Sequence, residues 1–430
     1  MNHELTAPLG DLFRERRTLL RMTMREVAGT ELSPTAVNNI EKGKIKPTVE
    51  TILYLCRVLD LPPEQALIRF PDFTKSAAAL FEIVDDWISK REFRQAHTLL
   101  FDMYWVGTEQ KCERLLGDVQ FRLGLVFFQL GRYACARDSM NQAYICYLEH
   151  KVIDKKIQAL YQAGNIELAE GNTNVAIAMY RQALVVVNRY LHVDSCVGEI
   201  QYQLAAAHLQ NLDYRLALQA SRAAENVYRT LGVHSGIARS VLQQAELLMQ
   251  MSALPEAEVL ATEAYSYFAE HGDVHLARAA RVLGDLMTAL ERYDEAHAHF
   301  ATGAELLGDT VSRERWALSC SIAELSLRLQ DLPTARSQAQ AALAICDGDP
   351  IRLRAEDRAL AYRLLARCDL QADDVAGYVR LMQAAIAALT TGGYGIQAAL
   401  LQTELADETN DWDLLREASR TLRFLQKRPR

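Results

Sequence analysis

The chain has 430 residues, half of them hydrophobic and 24% charged, which is ordinary for a soluble folded protein long enough for two or more domains. It carries no apolar run after the first methionine and no stretch of 18 apolar residues, so the sequence predicts neither signal peptide nor membrane span and a cytoplasmic protein. The formal charge of −8 is uneven: residues 1–70 hold 10 Lys and Arg against 9 Asp and Glu, and the remainder 37 against 46. Eight cysteines (56, 112, 135, 146, 196, 320, 346 and 368) form no C-x-x-C pair and fall within helical patterns. They read as buried, reduced thiols rather than disulfides or metal ligands, and no metal or cofactor is expected.

A first helix is predicted from about Leu9 to Leu20, with Leu9, Leu12, Phe13, Arg16 and Leu20 in register. Thr23 followed three residues later by Glu26 makes a capping box, so a second helix starts at Met24 and runs to about Gly29. Ser33 caps a third helix with Pro34 in its first turn, where the missing N–H costs nothing. On this helix Thr35, Asn38, Asn39 and Lys42 recur at i, i+3, i+4 and i+7 and share one face, while Val37 and Ile40 point into a small core. Short hydrogen-bonding side chains followed by Lys42, Lys44 and Lys46 suit a DNA major groove, where amides read base edges and lysines hold phosphates. Taken alone, the same pattern also fits an ordinary solvated helix face.

A fourth helix after Pro47 carries Val49, Ile52, Leu53, Leu55, Cys56 and Leu59 and reads as the buried helix of this head. Pro62 and Pro63 open a fifth that reaches about Phe70. The Phe70-Pro-Asp-Phe-Thr stretch reads as a hinge, with residues 71–76 as linker.

Beyond it the sequence repeats. Val84, Gly124, Gly164, Ala205, Ala245, Gly284, Ala323 and Ala366 recur at intervals of 39 to 43 residues, and twelve residues after each comes Ala96, Ala136, Ala176, Ala217, Ala257, Ala296 or Ala335, failing only at Tyr378. Two close crossings per unit, each demanding a small residue, describe a helix, tight turn, helix unit; stacking such units buries a continuous core. Eight units cover 77–391, and 392–430 read as a degenerate ninth pair that caps the array around Trp412, Leu414 and Leu415.

In such a stack the first helix of each unit lines an inner groove. Projection from the small anchors puts Gln158, Tyr161, Asn165, Glu199, Tyr202, Arg239, Leu242, Glu246, Arg278, Arg281 and Asp285 into it. Amides can pair with the backbone of an extended peptide and arginines can take a terminal carboxylate, so Gln158, Tyr161, Asn165, Tyr202, Arg239, Glu246, Arg278 and Arg281 are the candidate peptide-binding residues. The competing reading is a groove closed on itself by salt bridges, Arg239 to Glu246 or Arg281 to Asp285. No catalytic constellation, phosphate-binding loop or metal spacing occurs, so an enzyme is not expected.

From Gly10 to Leu61 the chain resembles the lambda-repressor/Cro-like (XRE) helix-turn-helix family: Phe13, Arg14 and Arg17, then Thr23 to Ala28, then Ser33, Val37, Ile40, Glu41 and Gly43, then Pro47, Thr51, Leu55 and Leu59. The resemblance implies Thr35, Asn38 and Asn39 as base readers and Lys42, Lys44 and Lys46 as backbone contacts. Arg25 stands in for the glutamine that this family often carries where the chain has Met24, and Glu41 is structural, paired with Arg14 or Arg17. The repeats resemble the tetratricopeptide (TPR) unit lengthened to about forty residues. The two together imply an all-α fold, a five-helix XRE head followed by a right-handed TPR superhelical solenoid. Head plus array resembles the RRNPP regulators, peptide-sensing quorum receptors of Gram-positive bacteria. That implies a homodimer on an inverted-repeat operator in double-stranded DNA, with a short oligopeptide in the groove. A nearly neutral head points to two copies as well, since phosphate neutralisation supplies most non-specific affinity. The alternative is an interaction protein whose array holds a protein partner.

Overall fold

The computed structural model describes residues 8–190, 194–308, 310–348 and 355–426, and all the regular elements among them are helices. No described helix is long and apolar enough to cross a membrane. The chain forms two compact units, residues 1–163 and 164–430, and the division falls within one helix.

The first unit opens with five helices: α1 (Leu9–Leu19), α2 (Met24–Ala28), α3 (Pro34–Glu41), α4 (Val49–Val58) and α5 (Pro63–Leu67). The capping box forms, with Thr23 N–H donating to Glu26 Oε2 at 2.7 Å and Glu26 N–H to Thr23 Oγ1 at 3.3 Å. Ser33 Oγ accepts from Ala36 N–H at 3.0 Å, with Pro34 at the first helical position. Gly43, at φ +65°, ends α3 in the left-handed region that glycine adopts without strain. Gly10 is demanded by a close approach: a Cβ there would lie 2.5 Å from the Glu41 carbonyl oxygen. Val27, Val37, Ile52, Leu55 and Leu59 fill the core between the helices.

The remaining helices come in pairs, first α6 (Phe73–Ser89) with α7 (Phe93–Glu109) and α8 (Glu113–Gln129) with α9 (Tyr133–Glu149). The third pair is α10 (Ile153–Glu170), the helix the unit division crosses, with α11 (Thr173–Tyr190). The junction differs from the hinge expected of it. Helix α6 starts at Phe73, inside the stretch read as linker, and Phe73 is fully buried in one core that runs from Phe13 and Leu67 of the head through Leu80, Leu100 and Met103 of the first pair. The two phenylalanines that flank Pro71 supply apolar area worth more than the freedom of a linker, and the Phe73 N–H is met by Gln110 Oε1 at 3.0 Å.

The pairs continue as α12 (Ser195–Gln210) with α13 (Tyr214–Leu231), α14 (His234–Gln250) with α15 (Leu254–His271), and α16 (Leu276–Ala289) with α17 (Tyr293–Leu307). After them come α18 (Arg313–Arg328) with α19 (Leu332–Gly348), α20 (Ala355–Gln371) with α21 (Val375–Thr391), and α22 (Gly395–Thr409) with α23 (Trp412–Gln426). The glycine run before Gly395 is thus a turn between pairs, and Trp412 of the last pair is 70% exposed rather than packed.

The small anchors sit where the helices of a pair cross. A Cβ on Gly124 would fall 2.8 Å from Met140 Cε, on Gly164 2.5 Å from the Tyr180 ring, and on Gly284 2.3 Å from the Phe300 ring. Where the anchor is alanine at 205, 245 and 323, the residue sixteen positions on is small, Ser221, Ala261 and Ala339, all buried, whereas Ala366 and Val84 face the large Met382 and Leu100. In the six central pairs bulk is thus traded between the two helices at the crossing. Five residues before each second anchor the backbone turns left-handed, at Arg91, Gly131, Gly171, Leu212, Ser252, Glu291, Gln330 and Asp373. Only two of the eight are glycine, so most of these hairpin turns carry a strain of about 1 kcal/mol. All eight cysteines are free thiols, but only Cys56, Cys320, Cys346 and Cys368 are buried, and Cys135 is exposed.

Candidate functional site: a DNA-facing helix and a charged groove

On the head, Val37 and Ile40 anchor α3 in the core and turn its other face outward. Thr35 is exposed and Asn38 and Asn39 are half-buried, and none of the three side chains makes a hydrogen bond within the protein. Lys42, Lys44, Lys46 and Arg25 are exposed and without ion-pair partners. The turn after α3 is braced through Asn39, whose carbonyl accepts from the N–H of Lys44 at 2.8 Å and of Ile45 at 3.3 Å. Glu41, 4% exposed, accepts from Arg17 in two parallel bonds, Nε to Oε1 at 2.6 Å and Nη2 to Oε2 at 2.9 Å. Arg17 is therefore the partner, while Arg14 pairs with Asp11 on its own helix. Sequence reasoning missed Tyr54, whose hydroxyl donates to the Ala28 carbonyl at 2.8 Å and so ties α4 to the end of α2.

The groove candidates divide between the units. Gln158 and Tyr161 lie on α10 in the first unit, Gln158 exposed and Tyr161 half-buried. The others belong to the second. Asn165 is held by Tyr180, whose hydroxyl donates to Asn165 Oδ1 at 2.7 Å. Tyr202, Arg239, Glu246, Arg278 and Arg281 gather with Glu199 and Asp285 on α12, α14 and α16. Arg239 donates to Glu199 through both Nη atoms, at 2.9 and 3.2 Å, and lies 4.7 Å above the Tyr202 ring. Arg278 Nη1 donates to Tyr202 Oη at 2.9 Å and its Nη2 to Glu246 Oε2 at 2.5 Å. Arg281 Nη2 donates to Glu246 Oε1 at 3.0 Å and its Nη1 to Asp285 Oδ2 at 2.6 Å.

Three guanidiniums and three carboxylates thus form two ion-pair groups, Glu199–Arg239 and Arg278–Glu246–Arg281–Asp285, which Tyr202 joins into one chain across α12, α14 and α16. Of the two salt bridges weighed from sequence, Arg281–Asp285 forms. Arg239–Glu246 does not, because seven residues put about 10 Å of rise between them, while Glu199 of the preceding pair lies alongside. Burial pushes the Glu246 carboxyl up, but Arg278 and Arg281 outweigh it and hold its pKa below the ordinary value. At Asp285 burial wins, and its pKa is raised despite Arg281. Tyr228 belongs to the site as well: its ring is wedged between Gly198 and Gly236, and its hydroxyl donates to Glu199 Oε1 at 2.6 Å. Those two glycines, in the first turns of α12 and α14, were the available signal for it. Arg281 Nε and Gln243 Oε1 are buried without a partner.

The helix-turn-helix family matches residues 13–65, the five-helix head. No curated protein matches the sequence. Among solved structures, a Rap protein complexed with Competence and Sporulation Factor aligns over 90% of this chain and 99% of its own, at 14% identity and a TM-score of 0.56. Aspartyl phosphate phosphatase F from Bacillus subtilis aligns over 89% and 94%, at 13% identity and a TM-score of 0.55. The apo form of the quorum sensor NprR from B. thuringiensis aligns over 82% and 98%, at 15% identity and a TM-score of 0.48. The fold is a helix-turn-helix domain joined to a TPR-like array. The likeness to these solved structures is one of fold, and the helix-turn-helix match precedes the array as the sequence resemblance implied.

Proposed function

We propose that the protein is a transcriptional regulator that binds an inverted-repeat operator as a homodimer and whose TPR groove takes a short, extended signalling peptide that changes operator affinity. The supporting observation is the ion-pair chain on α12, α14 and α16, in which every arginine bridges carboxylates or a tyrosine of neighbouring pairs. A peptide carboxylate that displaces Glu199 or Glu246 from its arginine alters the links that set the spacing of successive pairs. A second support is likeness of fold to a Rap protein crystallised with Competence and Sporulation Factor. The ligand shifts operator binding only by its differential affinity for the two spacings, and about 1 to 3 kcal/mol gives a 5- to 150-fold change.

The test takes an operator selected from random duplexes and titrates it with and without the peptide fraction of the host, then with the active peptide synthesised. Reciprocity requires operator DNA to alter peptide affinity by the same factor, and Arg239→Ala should abolish the coupling. A peptide that binds elsewhere, or leaves operator affinity unchanged, removes the reading. Capture of a folded protein by the groove instead would establish the partner-protein alternative.

A further inference from the structure

Most exposed apolar side chains in the described residues are scattered, but α7 gathers three aromatics on its outer face. Phe101 is 60%, Trp105 42% and Tyr104 36% exposed. With Thr98 and Thr108 they form an uncharged stripe, since residues 98, 101, 105 and 108 recur at i, i+3, i+7 and i+10. The repeat does not require them: the register of Phe101 and Trp105 holds Arg222 and Asn226 on α13, Thr262 and Ser266 on α15, and Ala301 and Glu305 on α17. At about 200 Å² a ring, the three leave roughly 300 Å² of aromatic surface in water per copy, a patch of the size that is often functional in monomers.

The ends of the stripe identify the occupant. Arg94 stands at its N-terminal end and Glu109 at its C-terminal end, about 22 Å apart along the axis, and neither has an ion-pair partner among the described residues. A two-fold axis through the middle of the stripe runs α7 antiparallel to itself, lays the aromatics of one copy on those of the other, and sets each Arg94 against the Glu109 of the second copy. The one charged side chain near the centre, Asp102, lies at the edge of the stripe, half-buried, where burial raises its pKa. We infer that the outer face of α7 is the surface on which two copies of this chain pair, antiparallel, through Phe101, Tyr104 and Trp105, with Arg94–Glu109 bridges closing both ends. Because α7 shares one continuous core with the head, this contact also fixes the separation of the two α3 helices on DNA. The choice of a second copy rests on the two-headed operator reading, but the surface itself is read without DNA or peptide.

Sedimentation velocity of the full chain across micromolar concentrations, with no DNA present, tests it. The wild type should form a dimer, and Trp105→Ser, Arg94→Glu and Glu109→Arg should each raise its dissociation constant at least tenfold with unchanged circular dichroism. The double reversal Arg94→Glu with Glu109→Arg should restore the dimer. Mixing the two single reversals should give a heterodimer, because like charges then face opposite ones at both ends. A wild type that stays monomeric, a dimer indifferent to all of these variants, or single reversals that neither weaken alone nor pair when mixed would overturn the surface. In the first case the stripe serves a different protein, and operator footprinting still decides the regulator reading separately.

Discussion

The head and the groove present polar groups in opposite ways. On α3 and the turn after it the side chains of Thr35, Asn38, Asn39, Lys42, Lys44 and Lys46 make no hydrogen bond or ion pair among the described residues, while the charged groups behind them are locked, as in Arg17–Glu41. In the groove Arg239, Arg278 and Arg281 are already spoken for. A surface that keeps its donors free binds a ligand present in excess, as phosphates and base edges are along DNA. A surface whose donors hold one another binds only what exchanges with them, and so its binding has a structural consequence.

The locked pair behind the DNA face should show the largest effect. Arg17→Ala leaves Glu41, 4% exposed, as an uncompensated buried carboxylate, at about 3 to 5 kcal/mol, visible as a lower urea midpoint for the head transition. The matching deletion in the groove, Arg239→Ala, should cost only about 1 kcal/mol, because the Glu199 side chain is 30% exposed and keeps the Tyr228 hydroxyl. Equal costs at the two sites would erase the contrast. Next come the free groups. Asn38→Ala or Asn39→Ala should lose about 1 to 3 kcal/mol of discrimination at one base pair of each half-site without loss of stability. Lys44→Ala should weaken all duplexes alike and reduce the salt slope by about one. Unchanged operator-to-random ratios for both asparagine variants would take the base-reading role from α3.

The same contrast sets what was legible in the sequence. Rules that act within a few residues came through: the Thr23–Glu26 box, the Ser33 cap with Pro34, the shared face of Thr35, Asn38 and Asn39, and the i, i+4 pair Arg281–Asp285. The anchors came through because a close helix crossing calls for a small residue about every forty positions, strictly glycine at 124, 164 and 284. Partner choice across repeats did not. Arg239 takes Glu199, forty residues back, and Tyr228 reaches it from a second helix, which no local period encodes. The junction was misread for a related reason: proline announces a turn, but only the packing of Phe70 and Phe73 decides whether that turn is free to move.

Acid should open the groove at its carboxylates. Burial raises the Asp285 pKa, so its link to Arg281 is lost at a higher pH than an ordinary aspartate would allow. Glu246, held below its usual 4.5, contributes stability that is complete above that value and is lost as pH falls through the lowered pKa. Carboxyl carbon shifts followed by NMR should show Asp285 titrating above, and Glu246 below, the ordinary range of its own residue type, and a Glu246 carboxyl that titrates above its ordinary value would mean that burial outweighs Arg278 and Arg281.

The last prediction turns the groove into a surface like the head. Glu246 is the carboxylate that Arg278 and Arg281 share, and Glu246→Gln keeps its shape while removing the charge. Arg278 keeps Tyr202 and Arg281 keeps Asp285, so the helices stay in place, but each guanidinium has lost a charged acceptor. If the groove binds a peptide by exchanging carboxylates, this variant no longer has to give one up. Its affinity for the active peptide should then rise about tenfold, or ~1.4 kcal/mol. Amidating the C-terminus of the peptide should abolish that gain. Coupling to operator DNA should fall at the same time, because the link that binding was meant to break is already broken. A variant that binds more tightly and still switches would mean that the spacing of the pairs is set elsewhere, and one that binds less tightly would mean that Glu246 itself holds the peptide.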